Sequence, residues 1–233
     1  MRFLGPTLSA ALSVDADMNP LSQVADAPST EDLAGDVAPF SQALGDPEAL
    51  ASLTALAQWV NWPMPTSAAG VRGFLGKYRE LLLTPLELPA IQAAYQHALR
   101  GEARELAELD QKLADQFKTS AFAEESRRKG RMQLRRLRPM RDRSLQKYLK
   151  SVESGEAAGW HVIVFGILLA AFSLPLRQGL MHYAVKNQQG LLEAASHAVS
   201  LTAQDRETLR LECEGPTAVA VQDLLPQFQP AAL

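Results

Sequence analysis

His161-Val162-Ile163-Val164-Phe165-Gly166-Ile167-Leu168-Leu169-Ala170-Ala171-Phe172-Ser173-Leu174-Pro175-Leu176 is the most apolar stretch of the chain. The β-branched start, Val162 to Phe165, is the one place where a strand could hide. Its unbroken continuation to Phe172 is too long for an ordinary strand and predicts a buried helix at about 158–173. The run from Val162 to Leu176 holds 15 residues, whereas a membrane span needs about 20. Pro175 also cuts it. A core helix is therefore expected, and no membrane partner.

Helical periodicity extends outward from this run in both directions. Asp46-Pro47-Glu48 combines a cap, a proline at the first helical position and an acid favoured by the helix dipole. Leu50, Leu53, Leu56, Ala57 and Val60 follow on one side, until Trp62-Pro63-Met64-Pro65 breaks the helix. Thr66 or Ser67 can cap a second helix carrying Val71, Phe74, Leu75, Tyr78, Leu81 and Leu82 at spacings of three and four. Pro85 and Pro89 punctuate the next connection. Helices are expected at about 89–99, 101–117 and 119–138, with a shorter one at 142–150. Beyond the core helix, others are expected from Pro175 to near His197, at 203–213 and at 216–226. No stretch alternates as a half-buried sheet strand would. The expected fold is all-α, a single-domain bundle of about eight to ten helices over residues 47–226. Residues 1–46, rich in Asp, Ser, Ala, Pro and Gly, read as a flexible or loosely packed arm in which Ser29 or Thr30 can cap a short helix. Residues 227–233 read as a tail.

Bulk composition excludes several classes. The 233 residues carry a net charge of −3, so overall charge does not favour nucleic acid. Cys213 is the only cysteine, which rules out an intrachain disulfide and a multi-thiolate zinc site. Arg2 precedes a short apolar stretch, but Gly5, Pro6, Thr7 and Ser9 break it, so a signal peptide is not expected. A cytoplasmic location is.

No arrangement of residues forms a recognisable active site. His97, His161, His182 and His197 show neither helical pairing nor a His-x-His motif. His182 and His197 are four turns apart, over roughly 20 Å, on one face. A metal site within one chain is not expected, although a symmetric dimer could pair one histidine from each copy; metal ligands stay unassigned. There is no Gly-x-Ser-x-Gly elbow, and Cys213 among leucines reads as a packing residue. No phosphate-binding Gly-x-x-x-x-Gly-Lys-Ser/Thr loop occurs. The chain reads as a non-enzyme with no tightly bound cofactor, one that works by binding other proteins.

The clearest anomaly is basic. Arg127 to Lys150 holds eleven of the 23 lysines and arginines, opposed only by Asp142. Three readings stand side by side: a solvated face paired with acids from Glu102 to Glu125, a docking surface for an acidic protein, or a nucleic-acid site. The last lacks aromatic interleaving and any recognition motif, so nucleic acid is not an expected partner. Arg127, Arg128 and Arg131 are the docking candidates. Reversing their charge is expected to weaken a partner complex without unfolding the chain.

Three blocks resemble one family. Leu86-Glu87-Leu88-Pro89-Ala90-Ile91-Gln92-Ala93-Ala94-Tyr95 is similar to an Asp-Leu-Pro segment opening a helix, with Glu87 in place of the aspartate. Thr119 to Arg131 is similar to an acid-rich then Arg/Gly helix. The third runs through His161-Val162-Ile163-Val164-Phe165-Gly166, Leu174-Pro175-Leu176-Arg177-Gln178-Gly179-Leu180, Tyr183 and Leu191-Leu192-Glu193-Ala194-Ala195. Their order and spacing resemble the urease accessory protein UreF family over about residues 66–226. The family's glycine-paired N-terminal signature has only Ala38-Pro39-Phe40-Ser41-Gln42-Ala43-Leu44-Gly45 as counterpart, and its arginine-aromatic C-terminal tail has none. The resemblance implies a cytoplasmic, homodimeric helical scaffold that binds a UreD (UreH)-type accessory protein and a UreG-type GTPase. The complex handles nickel for insertion into apo-urease, and the chemistry belongs to the partners. The two departing segments support an alternative, a degenerate or unrelated helical adaptor with no role in urease maturation.

Overall fold

The computed structural model describes residues 37–45, 53–59, 61–116 and 121–225. The expected Asp46 cap, the Ser29 or Thr30 cap, Leu50, Val60, the tail 227–233 and most of the arm lie outside these residues. Among the described residues the secondary structure is entirely helical, with no strand. A 3-10 turn at Ala38–Phe40 leads into α1 (Ser41–Leu44), followed by α2 (Leu53–Trp59) and α3 (Ala68–Tyr78). After a wide π-helical stretch, Arg79–Glu87, come α4 (Leu88–Arg100), α5 (Ala103–Gln116) and α6 (Ala121–Arg136). Then follow α7 (Arg143–Ser154), α8 (His161–Ala171), α9 (Leu176–Ala198) and α10 (Ala203–Leu224). The all-α, single-domain expectation holds.

The core is built around α8, the stretch that decided the fold. Every residue from His161 to Leu169 is buried. Helix α4 packs on it most extensively, with α6 and α7 on other sides. Close approach is permitted by two glycines. A Cβ on Gly166 would lie 2.4 Å from the Ile91 carbonyl oxygen and 2.8 Å from Ala94 Cβ of α4. A Cβ on Gly130 of α6 would lie 2.2 Å from the Gly159 carbonyl oxygen. Only a hydrogen fits at either place. Helices α9 and α10 pair beside α3 and α4 and complete the bundle.

Two expected breaks are absent. The first lies at Pro85, where the chain instead runs as one continuous helical rod from Ala68 to Arg100. In an α-turn the proline ring would meet the carbonyl four residues back. Here the turns widen, as the Leu88 N–H bonding to the Leu83 carbonyl shows, so Pro85 is passed without interruption. Pro89 follows directly on the widened stretch, as the second residue of α4. The second expected break, between 213 and 216, is bridged by the single helix α10. Pro216 is exposed, so water can satisfy the carbonyl it leaves open. Leu209, Thr217 and Val221 are buried on both sides of it, and this packing overrides the local preference. The expected breaks at Trp62–Pro65 and between the helices expected at 142–150 and 158–173 are present, and Ser67 caps α3 by accepting from the Gly70 N–H at 3.2 Å.

Candidate functional site

Helix α6 has two unlike faces. Ala123, Ser126, Gly130, Gln133 and Leu134 are buried at spacings of three and four, with Gly130 pressed against the entry to α8. The opposite stripe exposes Arg128, Arg131, Met132 and Arg135. Met132 is 54% exposed among these guanidinium groups. With Glu124 and Arg127 they line one shallow surface depression. Arginine and methionine are both enriched at protein interfaces.

The candidate arginines are not equivalent. The Arg127 guanidinium lies 5.4 Å from the centroid of the Trp160 ring and its Nε donates to the Ala123 carbonyl at 3.2 Å. Arg131 Nε donates to the Ala158 carbonyl at 2.8 Å. Both therefore brace the turn that enters α8. Arg128 faces outward and pairs only locally, with Glu125 at 2.6 Å, which raises its already high pKa through that hydrogen bond and charge. Such an exposed pair contributes little to stability.

Several acids from Glu102 to Glu125 have ion-pair partners outside the basic face. Glu102 holds Arg100 and His97, and Glu108 holds Arg104. Glu125 holds Arg128 at 2.6 Å, and Arg138 meets Glu153 at 3.6 Å. Trp160, whose ring Arg127 covers, is 1% exposed and cannot present its ring face to a base.

Behind the basic face, Asp110 of α5 organises the same turn. It is fully buried and accepts from the Tyr148 hydroxyl (2.5 Å) and from the N–H groups of Ala158 (2.5 Å), Gly159 (3.0 Å) and Trp160 (3.4 Å). Trp160 precedes α8 with no side-chain cap of its own. One carboxylate thus ties α5, α7 and the start of α8 together. Burial and the Asp110 charge push the Tyr148 hydroxyl well above its ordinary pKa. Sequence reading missed Asp110, although a signal was present. It sits four residues after Leu106 and three before Leu113, on the apolar stripe.

A second buried carboxyl lies at the end of the π-helical stretch. Glu87 accepts from Tyr78 at 2.5 Å and from Tyr183 at 3.0 Å. Burial pushes its pKa up to about 7, and the two tyrosine hydrogen bonds pull the other way. Tyr183 also packs edge-on against Phe165 and stacks with His161.

The histidines are dispersed. His161 is fully buried, with Nε2 3.0 Å from the Gly45 carbonyl oxygen. Burial and the charge of Lys129 push it down to about 3, against that hydrogen bond. His182 Nε2 lies 3.1 Å from Ser41 Oγ, His97 meets Glu102, and His197 is exposed beside Glu193. Among the described residues no group of three or more His, Cys, Asp or Glu is placed to hold a metal ion. Cys213 is half-buried on α10, and burial raises its thiol pKa, which disfavours the nucleophilic thiolate. No helix of the described residues is long and apolar enough to cross a membrane.

The family model described as UreF matches residues 66–213, well over half of the chain. No curated protein matches the sequence.

Proposed function

The chain belongs to the UreF family of urease accessory proteins, and on that premise we propose that it is a scaffold for nickel insertion into apo-urease. Urease accessory work is done with other accessory proteins. In this reading the partners are a UreD (UreH)-type accessory protein, a UreG-type GTPase and apo-urease, assembled on a cytoplasmic homodimer. The chain holds these partners together and catalyses nothing itself. GTP hydrolysis belongs to the GTPase, and nickel is the cargo of the complex.

The family match over residues 66–213 carries the reading. The basic face of α6 supports it locally. An outward stripe of arginine with an exposed methionine at its centre suits an acidic protein surface with an apolar spot. Among the described residues the face shows none of the exposed aromatics that single-stranded nucleic acid stacks on.

The test is co-purification with UreD- and UreG-type proteins at gentle salt, together with urease activity in cells lacking the gene. A complex, and urease that is made but inactive until the gene is restored, are the expected results. No complex and unchanged urease activity would overturn the proposal in favour of an adaptor without a urease role. The docking face is tested by Arg128→Glu with Arg135→Glu, which spares the two arginines that brace the α8 entry. Partner affinity should fall at least about tenfold, or roughly 1.4 kcal/mol, with the helical circular dichroism unchanged.

A further inference from the structure

Arg131 and Arg135 line a second hollow besides the depression they share with Arg128. It is an open cavity of about 640 Å³ between α5, α6, α7 and the turn that enters α8. Ligand sites commonly measure about 300–1,000 Å³. Its walls carry opposite charges. Arg131 and Arg135 stand on α6, whereas Glu153 lies at the end of α7 and Glu156 just beyond it. No ion pair joins the two walls. Arg131 gives its Nε to the Ala158 carbonyl, and Glu153 pairs with Arg138, which is not part of the lining. Neither Arg135 nor Glu156 has an ion-pair partner among the described residues. Asp110 also borders the cavity, but its oxygens are taken by Tyr148 and the N–H groups of residues 158–160. Leu134 and Leu149, both buried, make part of the lining apolar.

Unpaired charges of both signs around one cavity select its ligand. A simple anion meets like charge at the glutamates, and a simple cation meets it at the arginines. A molecule bearing both signs satisfies both walls. A single amino acid is too short, because its ammonium and carboxylate hang on one carbon, whereas the walls stand too far apart for their own long side chains to pair. We propose that this cavity binds a short peptide segment in which an acidic and a basic side chain flank an apolar one. The acid lies toward Arg131 and Arg135, whose planar guanidinium groups match a carboxylate. The base lies toward Glu153 and Glu156, and the apolar residue rests against Leu134 and Leu149. The proposal does not rest on the urease reading.

The test is a titration of the isotope-labelled full-length chain, followed through its amide NMR signals. The probes are tripeptides capped at both ends, so that only side chains carry charge. Acetyl-Lys-Leu-Glu-amide should bind with a Kd of about 1 mM or tighter and shift the amides of Gln111, Arg135, Val152 and Ala157 around the cavity. Replacing either its lysine or its glutamate with glutamine should weaken binding about tenfold, the usual effect of losing a hydrogen bond to a charged group. Acetyl-Glu-Leu-Glu-amide should bind no better than these two. In the protein, Arg135→Gln and Glu156→Gln, both at exposed positions, should each weaken the Lys-Leu-Glu probe by a similar factor with circular dichroism unchanged. The peptide series on the wild-type chain decides the matter even where a variant fails to fold. The proposal is overturned by an absence of shifts at about 10 mM peptide, ten times that constant, or by equal binding of the doubly acidic peptide. Shifts confined to the outer depression at Glu124, Arg128 and Met132 overturn it as well. No other protein is present, so this measurement and the co-purification can fail independently.

Discussion

Replacing Glu87 with glutamine tests whether a buried carboxyl makes the fold sensitive to pH. Glu87 is 2% exposed, and its pKa is pushed up to about 7 from an ordinary 4.5. Between these values the folded chain keeps a proton that the unfolded chain has released. The folded pKa is the higher one, so the stabilising contribution is complete below pH 4.5 and is lost as pH rises through 7. The interval of about 2.5 pH units, at 1.36 kcal/mol each, amounts to roughly 3 kcal/mol, of which about 2.5 kcal/mol falls between pH 5 and pH 8. Glutamine has nearly the same shape and does not titrate. It can accept from one tyrosine hydroxyl and donate to the other, as the protonated acid does. His161 acts in the opposite direction. Its pKa is depressed to about 3, so its contribution is lost as pH falls below 6.5. Comparing the two proteins at each pH cancels that effect. Urea unfolding followed by circular dichroism at pH 5, 6, 7 and 8 is the assay. The wild type should lose about 2.5 kcal/mol relative to Glu87→Gln across the series. Parallel profiles, constant within about 0.5 kcal/mol, would refute the reasoning.

Three further perturbations probe the packing, two of them around α8. Gly166→Ala should destabilise by about 1–3 kcal/mol, because backbone atoms of α4 block the new methyl; thermal unfolding should shift down by several degrees. Gly76→Ala, where nothing lies within 4 Å, should change stability in the opposite direction, by up to about 1 kcal/mol in the same assay. Asp110→Asn keeps the size but turns one acceptor into a donor among four donors. A loss of about 3 kcal/mol in denaturant unfolding is expected, and a loss below about 0.5 kcal/mol would show that the α8 entry holds without it.

Sequence reading located the helices well where periodicity and burial agree. The apolar run became the central helix because its residues are buried all round, and length alone separates that from a strand. The failures came at proline. Pro85 and Pro216 carry a strong local signal for a break, but the chain passes both, one by widening its turns and one by exposing the open carbonyl. Neither device has a local signature. Buried carboxyls were equally hard to see. Asp110 lies on an apolar stripe yet reads as a surface acid until the N–H groups of the 158–160 turn, some fifty residues away, close on it. Glu87 stood out only as part of a resemblance, and its two tyrosine partners are 9 and 96 residues away.

The basic cluster shows a further limit of composition. Eleven cationic residues in one segment look interchangeable, and Arg127, Arg128 and Arg131 were natural candidates together. Their positions on α6 separate them. Arg127 and Arg131 reach back over the helix to Trp160 and the Ala158 carbonyl, the same turn that Asp110 holds from the other side. Gly130 lies between them in sequence, with no room for a side chain. Reversing all three charges would therefore mix two effects, loss of a docking surface and loosening of the entry to the central helix. Arg128 pairs with Glu125 on its own helix, so a partner's response to it reports on the surface alone, whereas Arg135 lines a cavity with Ala157 and Ala158 of that turn. Charge reversal at Arg131 removes a hydrogen bond to the Ala158 carbonyl next to α8, whereas reversal at Arg128 removes only a solvated ion pair.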